Sequence, residues 1–271
     1  VADSQAFSRL SLREATADGA LRIAFGDPTK GMPDPAPGDA LMPWQQEITK
    51  RYSKMGLAHQ GQKPEKASVV VLGLDANWSP GLANHPDVCN LIFEYLDDGV
   101  AFWGKYGYHH PFLLEQYQAT GLRDGVRYHR MFTKLGLTKC HAPHVSFAEL
   151  LNVPTSGRVN ETDFLAHFEK ESVREHATRL EAFLMNGERR LVSVCDGVAR
   201  RMNRLSRRHN LFTKVMKHLP EEGAYFNKPN VPTYSNGKTE FILARHFSAV
   251  WTIEGLEALG RRFRKFIDGP T

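Results

Sequence analysis

The sequence predicts an α/β fold in which a central, mostly parallel four-stranded sheet carries helices on both faces. Short apolar runs recur at residues 69–72, 144–151, 190–195 and 240–244, and each stops at polar or turn residues. Runs of this length bounded by turn signals read as strands, and their near-continuous apolarity reads as burial on both faces. Segments with helical spacing separate the runs, as expected when parallel strands are joined by helical crossovers. Polar residues cluster just beyond the runs, at the strand ends where open α/β sheets bind ligands.

The 271 residues suffice for one large domain, divided in expectation into an N-terminal arm, 1–65, packing on a core domain, 66–271. Within the arm, residues 27–39 are rich in Pro, Gly and Asp and read as loop, and 44–55 as a helix that packs the arm on the core. The first strand ends in Gly73, Asp75, Asn77, Trp78, Ser79, Pro80 and Gly81. Val88, Leu91, Ile92, Tyr95 and Leu96 follow at helical spacing, with Asp87 as N-cap and Gly99 as terminator. Residues 101–112 show little periodicity and read as an aromatic loop. Two roles are open for Phe102, Trp103, Tyr108 and Phe112: covering a core edge, or stacking on a flat ligand.

A helix is expected through Tyr128, Met131, Phe132 and Leu135, closing at Gly136. After the second strand, residues 162–185 read as one long amphipathic helix. The third strand stops at Asp196-Gly197 and a helix restarts over 198–205. Residues 212–219 extend the helical surface, 228–237 form a loop, and after the fourth strand 253–267 form the closing helix.

Apolar content of 41% and charged content of 24% are ordinary for a soluble globular chain. No apolar run approaches the roughly 18 residues of a membrane span, and the first residues lack a signal-peptide pattern. A cytoplasmic monomer with no membrane partner is expected. Cys89, Cys140 and Cys195 are too few and too scattered for a disulfide framework and read as small buried hydrophobes. The net charge of +5 favours a polyanionic partner. Arginines crowd residues 189–208 and 261–264, either as solvated helix faces or as a nucleic-acid footprint.

Generic nucleotide motifs are absent, and Cys140, His141 and His144 have no second cluster at zinc spacing, so neither a cofactor nor a metal is expected. What remains is a polar set at successive strand ends: Asp75 with Asn77, then Glu149, then His246 with Ser248.

Gly73-Leu74-Asp75-Ala76-Asn77 resembles the first motif of the uracil-DNA glycosylase superfamily, a buried strand ending in Gly-x-Asp or Gly-x-Asn. His246-Phe247-Ser248-Ala249-Val250 is similar to its last motif, His-Pro-Ser or Asn-Pro-Ser followed by an apolar residue. Between them, residues 149–157 resemble the Asn-bearing strand and Pro-Thr-x-Gly loop of the mismatch-specific branch, and residues 191–202 the strand and helix before the last motif. Ala76 and Phe247 stand where the family has proline, and Glu149 where many members read the base with Asn. An amide both donates and accepts, whereas an ionised carboxylate only accepts. Glu149 is therefore read as a carboxylate suited to bases that present N–H donors, or else as protonated, shifted in register or structural. The cysteine count excludes the iron–sulfur branches.

The resemblance implies a monofunctional glycosylase that flips a deaminated or mismatched base out of DNA in base-excision repair. It assigns water orientation to Asp75 with Asn77 in support, and stabilisation of the leaving base to His246. Glu149 and the aromatics Phe102, Trp103, Tyr108 and Phe112 would hold the base. Ser156, Arg158, Arg245 and Ser248 would contact phosphates, and Val250 or Trp251 would wedge into the duplex. The alternatives are a catalytically degenerate DNA-binding protein of the same fold, or an unrelated α/β hydrolase of nucleotides.

Overall fold

A computed structural model describes residues 43–76, 78–123, 125–155, 159–219 and 233–269. The expected 27–39 loop, Asn77, Ser156, Arg158 and residues 228–232 of the expected 228–237 loop lie outside the described residues.

The fold is α/β, with a mixed sheet of six strands: β1 (His59–Gly61), β2 (Val69–Gly73), β3 (Val145–Glu149), β4 (Arg190–Cys195), β5 (Thr233–Ser235) and β6 (Thr239–Ala244). Their order is β1-β3-β2-β4-β6-β5. The expected four strands are the parallel middle of this sheet. The correction is at its edges, where β1 pairs antiparallel with β3 and β5 with β6. Each edge strand is only three residues long and holds its place by backbone pairing, so neither leaves an apolar run to read.

Side chains alternate across the sheet, as the pleat requires. Val70, Leu72, Val192, Val194, Phe241 and Leu243 enter one core with Val173, Leu180, Val198 and Met202. Val69, Val71, Leu191 and Ile242 enter the opposite core with Phe132, Leu256, Leu259 and Phe263. Burying each such aliphatic side chain is worth about 1.5–3 kcal/mol, so both faces of the middle strands are committed to helices.

Those helices are α1 (Pro43–Ser53), α2 (Pro86–Asp97), α3 (Gly99–Tyr106), α4 (Glu115–Ala119), α5 (Val126–Thr133), α6 (Glu161–His167), α7 (Glu171–Leu184), α8 (Asp196–His209), α9 (Thr213–Met216) and α10 (Ile253–Ile267). Two differ in kind from expectation. The first half of the expected aromatic loop is helix α3: Asp98 caps it by accepting from the Ala101 amide at 2.9 Å, and Gly107 ends it in the left-handed conformation at φ 74°. Gly99 therefore opens this helix rather than closing α2. A Cβ there would lie 2.6 Å from the Gly61 Cα, so only glycine lets α3 approach β1.

The expected single helix over 162–185 is two, α6 and α7. No Gly or Pro marks the break; the chain tightens into three-residue turns as Phe168 goes into the core against Phe164, 5.1 Å between ring centroids.

The described residues of the expected arm, 43–65, lie within the same compact unit as the core domain. Trp44, Ile48 and Tyr52 of α1 share a core with Ile92, Tyr95 and Phe102, and β1 belongs to the sheet. Of the cysteines expected to be buried, Cys89 is, Cys195 is only partly so, and Cys140 is exposed.

From β2 the chain leads to β3 on one side, then returns past β2 to β4 and on to β6 on the other. The β2–β4 pair is thus a switch point, and ligands bind open sheets outside the carboxyl ends of such strands.

Candidate active site

A cavity of about 410 Å³ lies at those carboxyl ends, lined by residues from β2, β3, β4 and β6 and from the turns that follow them. Its size is within the range of small-molecule sites.

Asp75 enters it from the turn after β2, where one carboxylate oxygen accepts from the Thr155 hydroxyl. The backbone around it is pinned by the same residue: the Trp78 amide donates to the Thr155 carbonyl at 3.0 Å, and the Thr155 amide to the Ala76 carbonyl at 3.2 Å. Ala76 and Trp78 are both buried. A backbone exchange with the 153–155 loop thus fixes this turn without proline.

Glu149, the last residue of β3, is only 3% exposed. Its Oε1 accepts from Gln60 Nε2 at 2.8 Å, whereas Oε2 has no hydrogen-bond partner among the described residues. A Cβ on Gly73 would come within 2.5 Å of that Oε2, so the bare Cα of Gly73 makes room for the carboxyl. Burial, then the charge of Asp75, pushes the Glu149 pKa up to about 8 against the opposing hydrogen bond from Gln60. Behind Gln60 stands His110, its Nε2 3.1 Å from Gln60 Oε1 and its Nδ1 accepting from the Phe112 amide at 3.2 Å. His129 stacks on His110 with centroids 3.6 Å apart. Burial holds both imidazoles well below their ordinary pKa, so both are neutral.

His246 reaches the rim from the turn after β6. Its Nδ1 accepts from the Ser248 amide at 3.2 Å, so the neutral ring carries its proton on Nε2. Desolvation lowers its pKa while Asp196 opposes the shift. Phe247 is buried against Tyr128, Phe132 and Trp251. Packing and the Ala249 amide to His246 carbonyl bond, 2.8 Å, hold this turn without proline.

β4 delivers Cys195 and Asp196, the N-cap and first residue of α8. Burial pushes the Cys195 thiol up to about 11, so it is not a thiolate at neutral pH. Arg200 and Arg201 of α8 also line the cavity; Arg200 pairs with Asp196 at 3.3 Å and Arg201 donates to the Val159 carbonyl at 2.9 Å.

Asp75, Glu149, His246, Ser248, Arg245 and Phe112 are thus brought together around one cavity. Phe102 and Trp103 are not: both are buried in core on α3, and Tyr108 is exposed away from the cavity lining. The flat surfaces that do line it are Trp78, Tyr128 and Phe147, with His110 and His129. Val250 is 73% exposed, its carbonyl accepting from Arg245 Nη1 at 2.9 Å, and Trp251 donates to the His246 carbonyl at 3.2 Å.

Sequence reasoning missed Gln60, Cys195, Asp196 and the histidine pair. The Asp-Gly after the third apolar run marked a helix start and pointed to Asp196. Gln60 had no such signal, because it comes from an edge strand of three residues. Comparison of the chain with family models, with curated proteins and with solved structures found no match.

Proposed function

We propose that this protein is a monofunctional DNA glycosylase that hydrolyses the N-glycosidic bond of a deaminated or mismatched base. The observation that carries the reading is the arrival of Asp75, Glu149 and His246 at one cavity from the ends of three parallel strands. Their motifs follow one another in the order of the uracil-DNA glycosylase superfamily.

Cleavage breaks the bond between C1′ and the base nitrogen, leaving positive charge on the sugar and negative charge on the base. Asp75 is placed to orient a water toward C1′ and offset the sugar charge, as carboxylates do in glycoside hydrolysis. The His246 Nε2–H is a neutral donor for a carbonyl of the departing base, and losing one such donor costs about 3–4 kcal/mol in comparable anion-stabilising sites. Among the described residues no lysine lines the cavity, which favours water over an amine as nucleophile. Arg200, Arg201 and Arg245 supply positive charge beside it, and exposed Val250 is suited to replace a flipped base in the stack.

The test is incubation with labelled oligonucleotides carrying uracil, hypoxanthine, xanthine or mismatched thymine, followed by alkali. Strand breaks that need alkali are expected, and Asp75→Ala is expected to lose at least about 100-fold in rate, the scale of one transition-state interaction. Full activity in that variant removes Asp75 from the chemistry. Salt-sensitive DNA binding without base release selects the catalytically degenerate alternative, and absence of DNA binding at low salt the nucleotide hydrolase.

A further inference from the structure

The hydrogen bonds behind Glu149 have a direction that can be followed from a fixed end. The Phe112 amide can only donate, so His110 Nδ1 accepts and the neutral ring carries its proton on Nε2. That Nε2–H needs an acceptor, which sets Gln60 Oε1 toward it and Gln60 Nε2 toward Glu149. Glu149 Oε1 therefore receives a donor and is the oxygen without the proton. Oε2, enclosed against the Gly73 Cα, is the oxygen left to carry one.

We infer that Phe112, His110 and Gln60 form a positioning chain that holds Glu149 beside the cavity as an acceptor at Oε1 and a donor at Oε2, which a turn of the carboxyl off the Gly73 Cα brings to a ligand. Such a group pairs with a base edge that sets an acceptor beside an N–H. Uracil, hypoxanthine and xanthine carry this edge as a lactam. An ionised Glu149 would accept two donors instead, as from the N1–H and amino group of guanine. The identity of the ligand as a base rests on the proposed glycosylase function; the direction of the bonds does not.

The surroundings favour the neutral acid. The titratable groups whose charge couples to that of Glu149 are Tyr52 of α1, Tyr95 of α2, Tyr128 of α5 and Asp75 after β2, none of them a cation. From α7, His176 bonds the Glu149 carbonyl at 2.9 Å, and its own burial lowers its pKa to about 4, leaving it uncharged. Among the described residues no Lys or Arg pairs with Glu149, and a buried carboxylate without a cation gives up its charge. Its raised pKa, about 8, agrees with the geometry.

Two measurements on the full chain test the inference. The first, without DNA, follows the Glu149 side-chain carbon by NMR in protein labelled at glutamate, with Glu149→Gln identifying the signal. A neutral carboxyl at pH 6.5 that titrates near 8 is expected. In Gln60→Met, loss of the donor to Oε1 moves that titration to higher pH. Titration in the ordinary carboxylate range overturns the inference, as does a Gln60→Met titration that stays in place.

The second is the pH profile of base release from uracil- or hypoxanthine-containing DNA. Wild-type release is expected to fall about tenfold per pH unit above the Glu149 pKa. Glu149→Gln, a neutral group with both a donor and an acceptor, lacks that alkaline limb, and Gln60→Met moves it upward. A limb that persists in Glu149→Gln overturns the inference. If no base is released, the glycosylase reading fails while the NMR titration still decides the direction of the chain.

Discussion

Glu149 combines burial, one satisfied oxygen and one unsatisfied oxygen, and the cost of that combination depends on pH. Its folded pKa of about 8 lies above the ordinary value of 4.5. A raised pKa stabilises the fold fully below the unfolded value, and that contribution is lost as pH rises through the folded one. At about 1.4 kcal/mol per unit, holding the proton at pH 7 costs roughly 3 kcal/mol. Glu149→Gln is therefore expected to stabilise the protein at pH 7 by up to that amount and to give little near pH 4.5, as read by urea unfolding at both pH values. Gly73→Ala acts on the same oxygen through packing. Its Cβ would lie 2.5 Å from Oε2, so the carboxyl must shift, at an expected cost of about 1–3 kcal/mol in stability measured by the same unfolding curves.

At the scale of elements, caps and close approaches decide where helices sit. α10 passes so near the turn after α5 that a Cβ on Gly260 would lie 2.1 Å from the Leu135 carbonyl oxygen, while Arg264 donates to that oxygen at 2.6 Å. Neither backbone can yield without moving α10 from the β2–β4 face of the sheet. Gly260→Ala is expected to lower stability by at least about 3 kcal/mol, the upper range for overpacking, seen as a fall in the unfolding midpoint. Asp98→Ala removes the cap of α3 and should cost about 1 kcal/mol by the same measurement. α8 shows a mixed use of its arginines: Arg200 and Arg201 line the cavity, while Arg204 pairs with Glu161 of α6.

Across the whole molecule, four histidines are buried and neutral. Burial lowers His109 to about 3 and His176 to about 4, and His110 and His129 well below the ordinary value. For a depressed pKa the stabilising contribution is present above the unfolded value, near 6.5, and is lost as pH falls toward the folded one. Each histidine then contributes about 1.4 kcal/mol per pH unit across that window. The thermal midpoint is expected to drop steeply from pH 6.5 to pH 4, outweighing the opposite trend from Glu149. A midpoint that stays level over that range would show these imidazoles to be protonated in the fold. No helix among the described residues is long and apolar enough to cross a membrane.

Four apolar runs, each bounded by turn residues, were enough to read the parallel middle of the sheet and the strand ends that bear Asp75, Glu149 and His246, because burial on both faces leaves a local pattern. The edge strands were not legible: three residues paired through backbone alone carry no side-chain signal. The break between α6 and α7 was hidden for a related reason, since Phe164 and Phe168 keep helical spacing and only the core they pack into tightens the turn. Phe102 and Trp103 could not be separated from Phe112 by sequence, because aromatic identity does not say which face a capped helix buries. Local residues thus determined which polar groups stand at the ends of the parallel strands. Only tertiary structure decided the state of Glu149, because Gln60, the Gly73-Asp75 turn and His110 come from three separate points in the chain and set its hydrogen bonds and its pKa only when packed around it.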